Sequence, residues 1–90
     1  AETQKQLVVD RTFIDAKTGI RWIIDYKTSR PADDALLADF FNEEAARYQD
    51  QLLRYQSAMQ RYDQCHHPDV VDTRVALYFS AFAKLHEVKV

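Results

Sequence analysis

Apolar and polar positions along this chain follow two different periods. Leu7 to Asp15 and Ile20 to Lys27 read as strands, with side chains that alternate between two faces. In the first, Val8, Asp10, Thr12 and Ile14 face one way, and Leu7, Val9, Arg11 and Phe13 face the other. In the second, Ile20, Trp22, Ile24 and Tyr26 share a face, while Ile23, Asp25 and Lys27 share the opposite one. Both faces of each run carry apolar residues, the pattern of strands covered on both sides. Ala16-Lys17-Thr18-Gly19, which holds the chain's only glycine, joins the two as a hairpin turn. Thr28-Ser29-Arg30-Pro31 ends the second strand, because proline cannot continue a ladder and restrains the residue before it.

Beyond Pro31 the period lengthens. Leu37, Phe41, Ala45, Tyr48, Leu52, Tyr55, Met59 and Tyr62 recur three and four apart, the stripe of an amphipathic helix that runs to about Cys65. Asp33 or Asp34 suits the cap of a short helix through Phe41, and Asn42 the cap of the next, with Glu43 and Glu44 in its first turn. One continuous helix from residue 34 to 65 fits the same pattern. His66-His67-Pro68-Asp69 ends it. Thr73 to Phe79 is a third strand, with Val75, Leu77 and Phe79 alternating against Arg74, Ala76 and Tyr78. Lys84 to Val90 is a fourth, after a turn around Ser80 to Ala83. This order implies an α/β fold: a mixed sheet of about four strands with one long helix packed on it, with or without a short helix before it. The long helix then serves as the crossover that makes the second and third strands parallel. Phe13, Trp22, Tyr26 and Phe79 read as core aromatics.

Composition narrows the possibilities. Ninety residues allow one small domain, and a hydrophobic share of 47% excludes a chain disordered throughout. There is no signal-peptide pattern and no apolar run long enough to span a membrane. The single cysteine, Cys65, cannot form an internal disulfide, which fits a reducing, cytoplasmic setting. A net charge of −2 lacks the basic excess that marks most nucleic-acid surfaces, although a bound metal reverses the local sign of an acidic site. Cys65-His66-His67 with Asp69 matches no standard zinc spacing and reads as a helix end carrying histidines that suit its dipole. His86 stands singly in the last strand.

The residues with chemical potential lie elsewhere. Asp25 and Lys27 put a carboxylate and an ammonium on one face of an apolar strand, which is costly unless the charges have a partner or a task. The hairpin carries Asp10 back to the neighbourhood of Asp25, and two such carboxylates suit Mg²⁺. From the residues alone, Asp25 and Lys27 are equally an exposed strand-end ion pair, with Asp10 joined to Arg11 or Arg21. Gln51 and Tyr55 lie one helical turn apart, beside Arg47, Arg54 and Arg61 at intervals of seven. Amide, phenol and guanidinium suit a phosphate backbone and a stacked base. Equally, Tyr55 belongs to the core stripe and the arginines form a solvated face paired with Glu44 and Asp50.

An Asp in an apolar strand, a hairpin, and then apolar-apolar-Asp-Tyr-Lys-Thr resembles the core of the PD-(D/E)XK nuclease superfamily. VVDRTFID followed by RWIIDYKTS resembles, more narrowly, the RecB-like nuclease domain at the C-terminal end of the RecB and AddA helicase–nucleases, whose motors are of the UvrD/Rep type. Tyr48-Gln49-Asp50-Gln51-Leu52-Leu53-Arg54-Tyr55 fits that family's Gln-x-x-x-Tyr helix motif, and the resemblance extends from about Leu7 to the end. It implies a restriction-endonuclease-like core and a metal-dependent DNA exonuclease acting in double-strand-break repair. It implies Asp10, Asp25 and the backbone carbonyl of Tyr26 as ligands of Mg²⁺ or Mn²⁺. Lys27 would orient the water and steady developing negative charge. Gln51, Tyr55, Arg47 and Arg54 would contact single-stranded DNA or broken ends, and a partner subunit would complete the helicase–nuclease complex. The alternative is a module of the same fold that binds DNA or a partner without cutting.

Several family features are missing. The upstream helix that often brings a His ligand has no counterpart before Leu7, and Leu7-Val8-Val9 replaces the glycine that commonly precedes the first Asp. The hairpin between Asp10 and Asp25 is slightly long. One cysteine excludes the four-cysteine iron–sulfur cluster of some relatives. No G-x-x-x-x-G-K loop is present, so ATP would enter only through a helicase motor absent from these residues. Residues 1–90 thus read as a single domain, the C-terminal part of a nuclease domain excised from a larger protein. Alone it is expected to be weakly active or inactive, and to self-associate through sheet surface that the missing helix would cover.

Overall fold

The computed structural model of the chain describes residues 11–32 and 35–90. Its elements are β1 Arg11–Asp15, β2 Ile20–Lys27, α1 Leu37–His66, β3 Asp72–Phe79 and β4 Lys84–Val88. They form an α/β fold, one mixed sheet in the spatial order β1-β2-β3-β4 with a single long helix. β1 pairs antiparallel with β2, Arg11 opposite Ile24 and Asp15 opposite Ile20. β2 and β3 run parallel, and β3 pairs antiparallel with β4. The central pair is parallel because α1 returns the chain to the starting end of the sheet before β3 begins.

Both ends of β2 are tied to the approach to β3 or its exit. Gly19 adopts φ 74°, a left-handed conformation that a residue with a side chain rarely takes. Its N–H donates to the Asp15 carbonyl at 2.8 Å, closing the hairpin, and its own carbonyl accepts the Val71 N–H at 2.9 Å. At the far end, the Ser80 N–H donates to the Lys27 carbonyl at 3.1 Å.

The core lies between the sheet and α1. Alternation sends Ile23, Val75, Leu77, Phe79 and Val88 to one face, where Phe40, Leu52 and Tyr55 of α1 meet them. Ile23, Leu52, Val75, Leu77 and Phe79 are fully buried, each contributing ~1.5–3 kcal/mol of transfer free energy. Phe40, Phe41, Phe79 and Phe82 close one end of this layer with ring centroids between 5.2 and 6.1 Å apart. His86 joins them by stacking on Phe41, 4.8 Å between centroids and 8° between planes. No helix among the described residues is long and apolar enough to cross a membrane.

Several sequence expectations change here. Leu7 to Asp10 of the first expected strand, and Asp33 and Asp34, lie outside the described residues. The N-cap of α1 is Leu36, without a side-chain cap bond, so Asn42 is an exposed residue inside one helix rather than a cap between two. The buried stripe is turned relative to the apolar one. Phe40 is in the core, whereas Leu37 and Tyr62 are exposed. The reason is that Glu44 and Asp63 take places on the buried face, and neither carries a hydrophobic signal. β3 begins one residue earlier than expected and β4 ends at Val88. α1 covers one face of the sheet only. Trp22 and Tyr26 point to the opposite face by alternation, with Phe13 paired to Trp22; Phe13 and Tyr26 are exposed, and Trp22 is half-buried. Of the four aromatics expected in the core, Phe79 alone is there.

Candidate functional site

β2 presents Arg21, Ile23, Asp25 and Lys27 to α1, and three of these four carry charge. The side chains of Asp25 and Lys27 are 7% and 15% exposed. Lys27 Nζ stands 3.1 Å from Asp25 Oδ2 and 3.6 Å from the centroid of the Tyr48 ring. An ammonium between a carboxylate and an aromatic face is attracted by both, through charge on one side and the ring quadrupole on the other. The sequence leaves this pair as either an exposed strand-end ion pair or a site component; Asp25 is buried and Lys27 half-buried, so the pair is not an exposed one.

α1 answers β2 with a ridge of polar heads. Glu44, Tyr48, Gln51 and Tyr55 step by four, three and four residues and so lie along one side of the helix. The Ser29 hydroxyl donates to Glu44 Oε1 at 2.7 Å, and Arg47 Nε lies 3.5 Å from Glu44 Oε2. Gln51 Nε2 donates to the Tyr55 hydroxyl oxygen at 2.6 Å. Further along, Arg21 grips Asp63 with a two-pronged fork, Nε to Oδ2 at 3.0 Å and Nη2 to Oδ1 at 2.6 Å. The Asp63 hydrogen bond, reinforced by its charge and opposed by burial, holds the Arg21 guanidinium above its ordinary pKa. A polar seam thus runs the length of β2: Ser29 with Glu44, Lys27 with Asp25 and Tyr48, then Arg21 with Asp63. Ile23 is its apolar interruption.

The expected site residues do not all meet. Asp25 and Lys27 are together. Asp10 lies outside the described residues. Tyr26 turns its side chain to the opposite face, edge-on to Tyr78 at 5.7 Å, so only its backbone belongs beside Asp25. Of the residues assigned to DNA, Arg47 and Arg54 are at the surface, Gln51 is half-buried and Tyr55 is a core residue. Sequence reasoning gave Tyr48 only a packing role, Glu44 a place in a first turn and a pairing with the surface arginines, and Asp63 none; the Arg47–Glu44 contact is that pairing, with Glu44 buried rather than solvated. A signal was present: Glu44 falls four residues before Tyr48, and Asp63 four after Met59, so both acids lie on the apolar stripe.

Whether a cation suits these residues depends on donor chemistry. Mg²⁺ takes hard oxygen ligands, commonly one or two carboxylates with waters. The Asp25 carboxylate and a main-chain carbonyl are such donors, and the described residues supply one of the two carboxylates expected. Among the described residues no group of three or more His, Cys, Asp or Glu side chains assembles around a common point. Cys65, His66, His67 and Asp69 form no such cluster, and His66 packs against Tyr62 at 4.4 Å between ring centroids.

No protein-family model matches the chain, and neither does any curated protein or solved structure.

Proposed function

We propose that the chain is a metal-dependent nuclease core, the C-terminal part of a RecB-like nuclease domain that hydrolyses DNA phosphodiesters during repair of broken ends. The observation that carries this reading is the placement of Asp25 and Lys27 on one face of one strand, Asp25 buried, Lys27 half-buried and the two in contact. Burying such a pair costs desolvation that the attraction between the charges regains only in part, so stability alone is a poor reason to keep it. Asp10, which lies outside the described residues, is the second carboxylate by the resemblance of VVDRTFID to the RecB-like nuclease family.

Mg²⁺ or Mn²⁺ held by Asp10, Asp25 and the Tyr26 carbonyl would polarise a phosphoryl oxygen and make a bound water more acidic. Lys27 lies beside Asp25, where its ammonium orients the attacking water and takes up negative charge developing on the phosphoryl group. Arg47 and Arg54, exposed on α1, contact the backbone of the strand being cut. Gln51 holds the Tyr55 hydroxyl and so keeps that stretch of the ridge fixed.

Calorimetric titration with Mn²⁺ tests the site. One binding event is expected for the wild type, lost in Asp25→Ala and in Asp10→Ala. Cleavage of single-stranded DNA by these residues alone is expected to be weak, and absent in Asp25→Ala. A wild type that binds no Mn²⁺ rejects the nuclease reading. That result favours a module of the same fold that binds DNA or a partner without cutting, which the closed Asp25–Lys27 pair also suits.

A further inference from the structure

Tyr48 belongs to no part of the expected active site, yet its ring lies against the ammonium of Lys27. The distance of 3.6 Å from Nζ to the ring centroid is that of a cation seated directly on an aromatic face. Lys27 has four rotatable side-chain bonds, and a carboxylate at one point leaves its long stem free to swing. Tyr48 supplies a second point. It comes from a different element, on a helix anchored on either side by the Ser29–Glu44 hydrogen bond and the Arg21–Asp63 fork. On the strand side, the Lys27 carbonyl is held by the Ser80 N–H at 3.1 Å. Backbone, carboxylate and ring therefore fix this side chain from three directions.

We infer that Tyr48 is a positioning residue for Lys27: its ring face holds the ammonium in place when the Asp25 carboxylate turns to another partner. The contact itself is a property of the fold. Its catalytic consequence rests on the nuclease reading above. If Asp25 gives its oxygens to a cation, Lys27 loses its anionic neighbour as an anchor, and the ring keeps the ammonium from leaving for solvent. Phenylalanine presents the same face and replaces tyrosine in this role. Leucine fills comparable space without a π face and does not.

Lysine labelled with ¹³C and ¹⁵N gives the readout. The chain has five lysines, so the side-chain Cε–Hε spectrum is simple, and Lys27→Arg identifies the Lys27 signal by its disappearance. Protons over a ring face are shifted upfield by the ring current. The Lys27 ε-protons are expected upfield of the other four lysines in the wild type and in Tyr48→Phe, and among them in Tyr48→Leu. Thermal unfolding of each variant, followed by circular dichroism, establishes that it is folded at the temperature of the spectra. An unshifted Lys27 signal in the wild type overturns the inference, as does a shift that survives in folded Tyr48→Leu. Mn²⁺ titration of the same samples separates the two proposals. A ring-current shift without Mn²⁺ binding leaves Tyr48 as the holder of Lys27 and removes the nuclease reading. Binding without the shift does the reverse. Where cutting is measurable, Tyr48→Leu lowers kcat about tenfold, the effect of about 1.4 kcal/mol on a barrier, and Tyr48→Phe retains it.

Discussion

A guanidinium and a carboxylate, Arg21 of β2 and Asp63 of α1, meet buried between sheet and helix. Their side chains are almost wholly enclosed, so each depends on the other for the hydrogen bonds that water would have made. Removing one leaves an uncompensated charge. Arg21→Ala or Asp63→Ala should each cost about 3–5 kcal/mol, enough to bring a domain of this size close to unfolding. Replacing both, as Arg21→Met with Asp63→Leu, should return most of that loss, because apolar packing then substitutes for paired charge. Urea denaturation of the two single variants and the double variant checks this, and a double variant as unstable as the singles would refute it. The pH dependence follows from the sign of the shift. Asp63 raises the Arg21 pKa, so the stabilisation from Arg21 is complete below the ordinary guanidinium range. It is lost only as pH rises through the still higher folded value. The pair therefore adds no alkaline step at about pH 10, where lysine and tyrosine titrate. Asp25 and Lys27 were legible in the sequence because a charge inside an apolar strand violates the pattern around it. Asp63 and Glu44 were not, because an acid on a helix is ordinarily assigned to solvent, and only its phase relative to the apolar stripe says otherwise.

Among the elements, the turns carry the clearest energetic signatures. Among the described residues two have positive φ: Gly19 at 74° in the β1–β2 turn and Ala83 at 54° in the β3–β4 turn. One is the residue suited to that conformation and the other is not. Gly19→Ala should destabilise by about 1–2 kcal/mol, the cost of an L residue in the left-handed region. A new Cβ there would also lie 3.4 Å from Val71 Cγ2, leaving it little room to relax. Ala83→Gly should have the opposite sign, stabilising by at most about 1 kcal/mol, since relief of strain is partly offset by the greater freedom of glycine in the unfolded chain. Denaturation midpoints of both variants decide it, and a shift in the same direction for both would contradict the backbone conformations. The hairpin was readable from its lone glycine, and the change of period at Pro31 separated strand from helix. The start of α1 was not readable. Asp33, Asp34 and Asn42 are all good caps by composition, whereas the observed Leu36 offers no side-chain oxygen, so packing of Phe40 onto Phe79 and Phe82 fixes the helix where capping does not.

For the whole molecule, the decisive asymmetry among the described residues is that α1 packs on one sheet face and no described helix packs on the other. Element order, parallel centre and crossover all followed from the sequence. Coverage did not, because apolar residues on both faces of a strand state that something covers each face without stating what. Ile23, Val75, Leu77 and Phe79 meet α1. On the opposite face no described helix lies over Phe13, Tyr26 and Leu85, which are 40%, 48% and 58% exposed. Their strands belong to one sheet, with Phe13 paired to Trp22 and Leu85 to Tyr78, so the exposed side chains form a shared surface rather than scattered points. Apolar surface of this kind tends to be buried by association. A twofold contact between copies is the simplest way for one such face to cover another. The chain is therefore expected to form a dimer or larger assembly at high concentration. Introducing charge at two exposed positions, Tyr26→Glu with Leu85→Glu, should shift it to monomer with an unchanged circular-dichroism spectrum, since neither side chain enters the layer against α1. Light scattering across a concentration series measures both. A wild type that stays monomeric at the highest concentration would show that this face is stable in water, and that the apolar residues on it serve the sheet rather than a second copy.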